Sequence, residues 1–383
     1  MEKRSLTAVC AAGFAFSANY TNHAPMVSAL QGEFGFNQAS AGLLTTGIFL
    51  THALMQVPGG RLADRLGAAR MMGLALAWVA IGNFAIATSG AYWQLLAWKV
   101  FVGIGTGMAI TAGSRYVVQI FTGKAIHLAQ GMFGGSILVG SGFVIFAVPQ
   151  MLGAFGWRGA FVGSAAVVTA AWIYWIGAAP KPKQKKMHAG SLAEMATHGE
   201  LWLLGVMQMA TFGLVIVAGS WITTLLKNGF KLPIGTAGIL GSLVLLLGIF
   251  TRPLGGWLMH RMNMRTVVPG ALLLNAAACA LLAWGQSIEL TMVAVVALGV
   301  GCGIPYSAIF TKAARLYPDR AGAAMGFVNM VGIVMILVGA PAVGRLADWS
   351  GAFRTSFLAL GGFSLLAAAA AFFLKDASEA IAD

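Results

Sequence analysis

Four basic residues, Lys99, Arg115, Arg252 and Lys312, sit inside long apolar stretches of the chain. A charge in hydrocarbon costs on the order of 3 kcal/mol or more unless it is paired, hydrated or able to reach the membrane surface. The acids offer no obvious pairing. Asp and Glu occur at 2, 33, 64, 194, 200, 289, 319, 348, 376, 379 and 383, each in a loop, a tail or at a helix end, so the apolar interior reads as basic and uncompensated. A buried cation without a carboxylate invites an anion, and arginine suits planar oxyanions because its fork gives two parallel charge-assisted hydrogen bonds. The intramembrane Asp or Glu that carries the proton in a cation or drug antiporter is missing. Protons would have to travel on His23, on His52 or on the substrate, whereas anion-for-anion exchange needs no such group.

Each of these cations also has a plainer reading. Arg252 lies about 18 residues, or ~27 Å, into its stretch, so it either binds substrate or takes part in gating, or it snorkels toward the near surface. The same alternatives stand for Arg115. Lys312 is nearer its helix end and reads as snorkelling, and Lys99 as a structural buried cation. His52 and Gln56 are four apart and share a helix face, which either lines a cavity or packs. In "SANYTNHAP" (17–25), Pro25 should disturb the helix, and Asn19, Asn22 and His23 either line a path or bond neighbouring helices. Asn329 is a pocket candidate, and Asn275 reads as an interhelical tie.

The elements that must position these residues are membrane helices. The chain has 383 residues, 58% hydrophobic and 9% charged, against roughly 45–50% and 25% in soluble domains. A spanning helix needs about 20 mostly apolar residues. Twelve stretches qualify: 6–30, 39–60, 70–89, 93–120, 128–152, 158–179, 201–226, 234–258, 266–286, 290–314, 322–344 and 354–374. The start resembles a signal peptide for a dozen residues, but it runs on apolar without a persuasive cleavage site, so it reads as the first span. Cys10, Cys279 and Cys302 fall in separate spans and imply neither a disulfide framework nor a metal site.

The net charge of +13 would suggest nucleic acid in a soluble protein. Here it reads as topology, and no nucleic-acid partner is expected. Of the 24 Lys and Arg, four lie within spans, and Arg158, Lys227, Lys231, Arg345 and Arg354 fall on one side. The remaining fifteen fall on the other, which makes that side, with both termini, cytoplasmic.

Lysine-rich "PKPKQKKMHAGSLAEMATHGE" (180–200) reads as a solvated cytoplasmic linker. It divides the chain into a six-helix bundle over 1–179 and another over 201–383. The two halves repeat. "QVPGGRLADR" (56–65) aligns with "RPLGGWLMHR" (252–261), and Arg158 with Arg354, both at an offset of 196. Parallel repeats of this kind place substrate near the midplane and work by rocking one half against the other.

"GRLADRLGAAR" (60–70) resembles the loop between helices 2 and 3 of the major facilitator superfamily, "LAWKVFVGIGTG" (96–107) its helix 4 motif with Lys99 in place of arginine, and "GWRGAF" (156–161) its junction of helices 5 and 6. The resemblance covers almost the whole chain. It implies the all-α fold of twelve transmembrane helices in two pseudo-symmetric bundles. It also implies a gate in which Gly60 permits close helix approach, Asp64 pairs with a basic residue or helix terminus, and Arg65 and Arg70 hold the cytoplasmic face. The second copy has His260 where Asp64 stands, so a weaker latch is expected there.

"QGMFGGSILVG" (130–140), "ATFGLVIVAGS" (210–220) and "RPLGGWL" (252–258) further resemble the nitrate/nitrite porter branch and its cyanate-porter-like relatives. In that branch arginines on helices 2 and 8 clasp the anion. Arg252 falls on the helix 8 position, but Gln56 holds the helix 2 position. Phe133 and Leu138 stand where asparagines are expected. Phe212 fits the branch's aromatic pocket on helix 7, and Gln208 departs from it. The loss at Gln56 makes Arg115 the candidate second charge.

These features lead to a transporter rather than an enzyme. It is expected in the inner membrane, as a monomer, taking a small organic carboxylate or inorganic oxyanion by exchange or with protons, and using no cofactor. The expected substrate contacts are Arg252, Gln56, Arg115, His52, Asn19, His23, Gln208, Phe212 and Asn329. An exporter of drugs or neutral metabolites and a non-transporting sensor are the rival readings.

Overall fold

The computed structural model describes residues 2–36, 38–180, 192–285 and 287–374, and these residues are largely helical with no strand among them. Helix is the solution that a bilayer imposes on an apolar chain, because every backbone polar group must be satisfied within its own segment. Among the described residues nine helices are both long and apolar enough to cross a membrane. Several passes are interrupted, the first of them at the polar run of residues 18–23.

The helical passes match the twelve expected spans. The first, α1, runs Glu2–Ser17 and resumes at Val27–Phe34; α2 is Gln38–Leu54 continued by Gln56–Leu66; α3 is Ala68–Ala87 and α4 Tyr92–Ile120. One helical stretch, Ala125–Ala178, holds α5 and α6, divided at Gly156, whose φ of 67° suits a residue without a Cβ. In the second half α7 is Gly199–Gln208, a π-turn Met209–Gly213 and Leu214–Phe230; α8 is Ile234–Leu246 and Gly248–Leu258; α9 is Met264–Trp284. Finally α10 is Ile288–Gly303 and Tyr306–Leu316; α11 is Ala321–Val334, a second π-turn Met335–Gly339 and Ala340–Ser350; α12 is Arg354–Ala371.

Packing divides the chain into two compact units. Unit 1 is Met1–His188 with Ala314–Gly326, and unit 2 is Ala189–Ala313 with Phe327–Asp383. The end of α10 and the start of α11 therefore pack with unit 1. Of the expected linker, residues 181–191 lie outside the described residues. Its last part holds a short helix, Leu192–Thr197, with Met195 buried and Ala196 accepting a hydrogen bond from Trp202.

The 196-residue repeat reappears as packing. In unit 1, Gly107 on α4 lies against α2 so closely that a Cβ would stand 2.6 Å from the His52 carbonyl. In unit 2, the equivalent Gly303 on α10 meets Thr251 on α8, where a Cβ would overlap the Thr251 hydroxyl. Both α2 and α8 also carry a proline near this contact, Pro58 and Pro253. Each removes an N–H from the ladder, which leaves a carbonyl one turn earlier without its helical donor.

Candidate functional sites in the two units

In unit 1 the polar run of α1 unwinds over residues 18–23 before a 3₁₀ turn at Ala24–Met26. Pro25 lacks a donor, and Asn side chains compete for backbone groups. Asn19 Nδ2 donates to the Ala15 carbonyl at 2.7 Å, and Asn22 Nδ2 donates to Asn83 Oδ1 at 3.1 Å. Lys99, fully buried, donates to the Asn19 carbonyl and to Asn22 Oδ1. Amide oxygens thus hold this cation, as the structural reading of Lys99 requires. His23 shares a hydrogen bond with Thr45 at 2.9 Å.

One turn of α2 carries His52 and Gln56, both fully buried. Gln56 Nε2 donates to the His52 carbonyl at 3.0 Å. His52 Nδ1 lies 2.9 Å from Thr106 Oγ1, and its ring meets Tyr20 edge-on at 5.1 Å. Gln56 Oε1 and His52 Nε2 have no hydrogen-bond partner among the described residues.

At the end of α2, past the apolar span, Asp64 Oδ1 stands 3.0 Å from Arg115 Nε. The same carboxylate accepts the N–H groups of Gly322 and Ala323, both at 3.1 Å, at the first turn of α11. A helix N-terminus favours a negative charge through its unsatisfied N–H groups and its dipole. Gly60 is pressed against Gly322, where a Cβ would overlap the carbonyl. Burial is the largest influence on Asp64 and pushes its carboxyl up to about 6, outweighing Arg115 and the two N–H donors, which pull it down. Arg65 and Arg70 are exposed at this end.

This arrangement corrects two expectations. Arg115 does not stand as a spare second charge for substrate; it is committed to Asp64 and to the Pro318 carbonyl, which it reaches at 3.2 Å. Nor is the basic interior uncompensated, because Lys312 Nζ lies 3.0 Å from Glu200 Oε1 and so is ion-paired rather than snorkelling. In both cases the acid sits at a helix end, where sequence alone shows no partner within reach of a mid-span cation.

In unit 2 Arg252 is buried, with its guanidinium carbon 4.1 Å from the Tyr306 ring centroid and 5.9 Å from that of Phe212. Two breaks in helix geometry set these rings. Pro305 follows the interruption of α10 at Ile304, and Tyr306 starts the next segment. Phe212 lies in the π-turn of α7, a feature that recurs at functional sites. The Ala210 carbonyl in that turn accepts Asn275 Nδ2 at 3.0 Å, so Asn275 ties α9 to α7. Rings engage the face of a guanidinium and oxyanions its edge, so the two contacts are compatible. Gln208 Nε2 donates to Asn329 Oδ1 at 3.1 Å, leaving Gln208 Oε1 and Asn329 Nδ2 buried without hydrogen-bond partners among the described residues.

The structure therefore groups Arg252 with Phe212, Gln208 with Asn329, His52 with Gln56, and Asn19 with the Lys99 cluster. Three participants, Tyr20, Thr106 and Tyr306, escaped sequence reasoning. The sequence signal for Tyr306 was Pro305, which ends a helix beside the repeat-related Gly303. Phe133, expected to alter the pocket, is a packing residue that fills the space left by Gly13 and Gly113.

Comparison with known proteins agrees with this architecture. The sequence model of the Major Facilitator Superfamily matches residues 9–265 and 201–382. A protein of Thermus thermophilus named as a probable nitrate/nitrite antiporter, NarK1, is 23% identical over 362 residues, 86% of this chain and 81% of its own. The probable nitrate transporter NarT of Staphylococcus epidermidis is 24% identical over 283 residues, 73% of this chain and 72% of its own. Among solved structures, the transporter FucP in the outward conformation superposes with a TM-score of 0.80 at 16% identity, over 97% of this chain and 98% of that one. The human organic anion transporter MFSD10 gives 0.78 at 16% identity, over 97% and 99%.

Proposed function

The chain belongs to the Major Facilitator Superfamily, and on that premise we propose that it moves a small anion, a carboxylate or an inorganic oxyanion, bound by Arg252. It is a multi-pass membrane protein and a secondary transporter, not an enzyme. The observation that carries the anion reading is the buried Arg252 flanked by Tyr306 and Phe212. The matched relatives named for nitrate support it. Gln56 in place of a second arginine favours an anion larger or more apolar than nitrate, such as a small carboxylate, because one fixed charge binds a compact oxyanion less tightly than two.

Alternating access in this reading turns on the Asp64 latch. Engaged, it fastens α2 and α4 to the first turn of α11; released, it frees these elements to move, a two-state arrangement of the kind that switches use. The charge asymmetry of the loops supports cytoplasmic termini in an inner membrane. Helix 1–12 numbering and the repeat further support bundles over 1–179 and 201–383 joined by 180–200.

The test is a thermal-shift panel on purified protein, with nitrate, nitrite, cyanate, formate, acetate, lactate, oxalate and larger carboxylates. Wild type should be stabilised by at least one of them, and Arg252→Gln should abolish the effect. An equal response in both proteins, or none in wild type, sinks the anion reading.

A further inference from the structure

His52 is the one residue of this turn whose two ring nitrogens can be assigned chemically. Thr106 Oγ1 lies 3.0 Å from the Gly103 carbonyl and 2.9 Å from His52 Nδ1. A carbonyl only accepts, so the single hydroxyl proton goes to Gly103. The hydroxyl then accepts from His52, and Nδ1 must carry the imidazole proton. Nε2 is consequently a lone-pair acceptor, fully buried and without a donor among the described residues. It lies one turn before Gln56, the position whose counterpart in the repeat is Arg252.

Its surroundings are specific. On α2 it meets Phe49 and Gln56, from α1 the perpendicular ring of Tyr20, and from α4 Thr106 and Gly107. Among these contacts Tyr20 is the one other titratable group, and no carboxylate or cation is present. The charges on the packed helix α4 are Lys99 and Arg115, about 10 Å and ~14 Å along the axis from Thr106. Asp64 lies a further ~18 Å along α2 itself.

We propose that His52 is the proton-coupling residue, and that the anion is carried with a proton rather than exchanged for another anion. This rests on the anion reading above. Nε2 takes a proton from hydronium, forming one N–H bond and releasing water; the imidazolium later returns that proton to water on the other side. A lone charge buried among rings is costly, whereas a proton and an anion that bind together cancel. By linkage each then strengthens the other's binding equally. The charge of this turn in unit 1 becomes conditional on pH.

The experiment uses the full chain in proteoliposomes with nitrate and oxalate as probes, whose acids are too strong to cross lipid uncharged. With the membrane potential clamped, an outward-directed alkaline gradient of one pH unit should drive about tenfold accumulation per proton carried, with interior acidification reported by a trapped dye. His52→Gln should abolish accumulation and acidification, while anion counterflow persists at a reduced rate. Thr106→Val keeps the imidazole but removes its Nδ1 acceptor, so it should move the pH midpoint of uptake, and Thr106→Ser should restore it. Accumulation by His52→Gln equal to wild type overturns the proposal. So does Arg252-dependent exchange without proton movement, which would leave the anion reading standing. Loss of any Arg252 dependence would remove both.

Discussion

At the scale of single residues, Arg252 and its rings make the sharpest demands. Lysine cannot reproduce the planar fork, so Arg252→Lys should weaken anion binding by about tenfold or more, despite keeping the charge. Tyr306→Leu removes a cation–π contact worth about 0.5–2 kcal/mol; titration calorimetry should show a several-fold weaker anion at unchanged stoichiometry. Arg252 was legible because a charge in an apolar run has few innocent explanations. Tyr306 was not, since an aromatic residue in a membrane helix reads equally as core, lipid contact or pocket. Arg115 shows the converse limit. Its charge was conspicuous, yet its partners come from the end of α2 and the start of α11, and no local pattern brings those segments together.

At the scale of elements, the interruptions carry the functional groups. The unwinding of α1 followed from "SANYTNHAP", where proline and short polar side chains undermine the helical ladder. The π-turns of α7 and α11 left no sequence signature, because a single extra residue per turn is set by packing. The Asp64 latch couples these elements to pH. Its carboxyl, held at about 6 in the folded protein against an ordinary 3.8, binds more protons there than in the unfolded chain. Stability from this group is therefore fully present below pH ~3.8 and lost as pH rises through about 6. Melting temperatures of wild type should rise on acidification from pH 7 toward 5, and Asp64→Asn should lose that increment. Close helix contact makes a separate demand. Gly107→Val drives a side chain into the His52 carbonyl, and a loss of about 1–3 kcal/mol is expected in denaturant unfolding.

At the scale of the whole molecule, the twelve passes and the repeat were readable from composition and from one recurring offset, since hydrophobic length and charge asymmetry are properties a bilayer selects directly. The assignment of residues 314–326 to unit 1 was not readable, because it depends on which end of a helix packs where. The Lys99 cluster bears on how such a chain is made. A lysine in mid-span opposes membrane insertion by about 2.5–3.5 kcal/mol. The two oxygens that hold Lys99 belong to Asn19 and Asn22, synthesised before it, while the Phe161 ring beneath its ammonium comes later. The fourth helix can therefore leave the translocon with the polar part of its berth already supplied by the first and third. Asn22→Leu should accordingly betray itself during biogenesis, as mis-threaded α4 in protease-protection assays on nascent chains, more than in the melting of the finished protein.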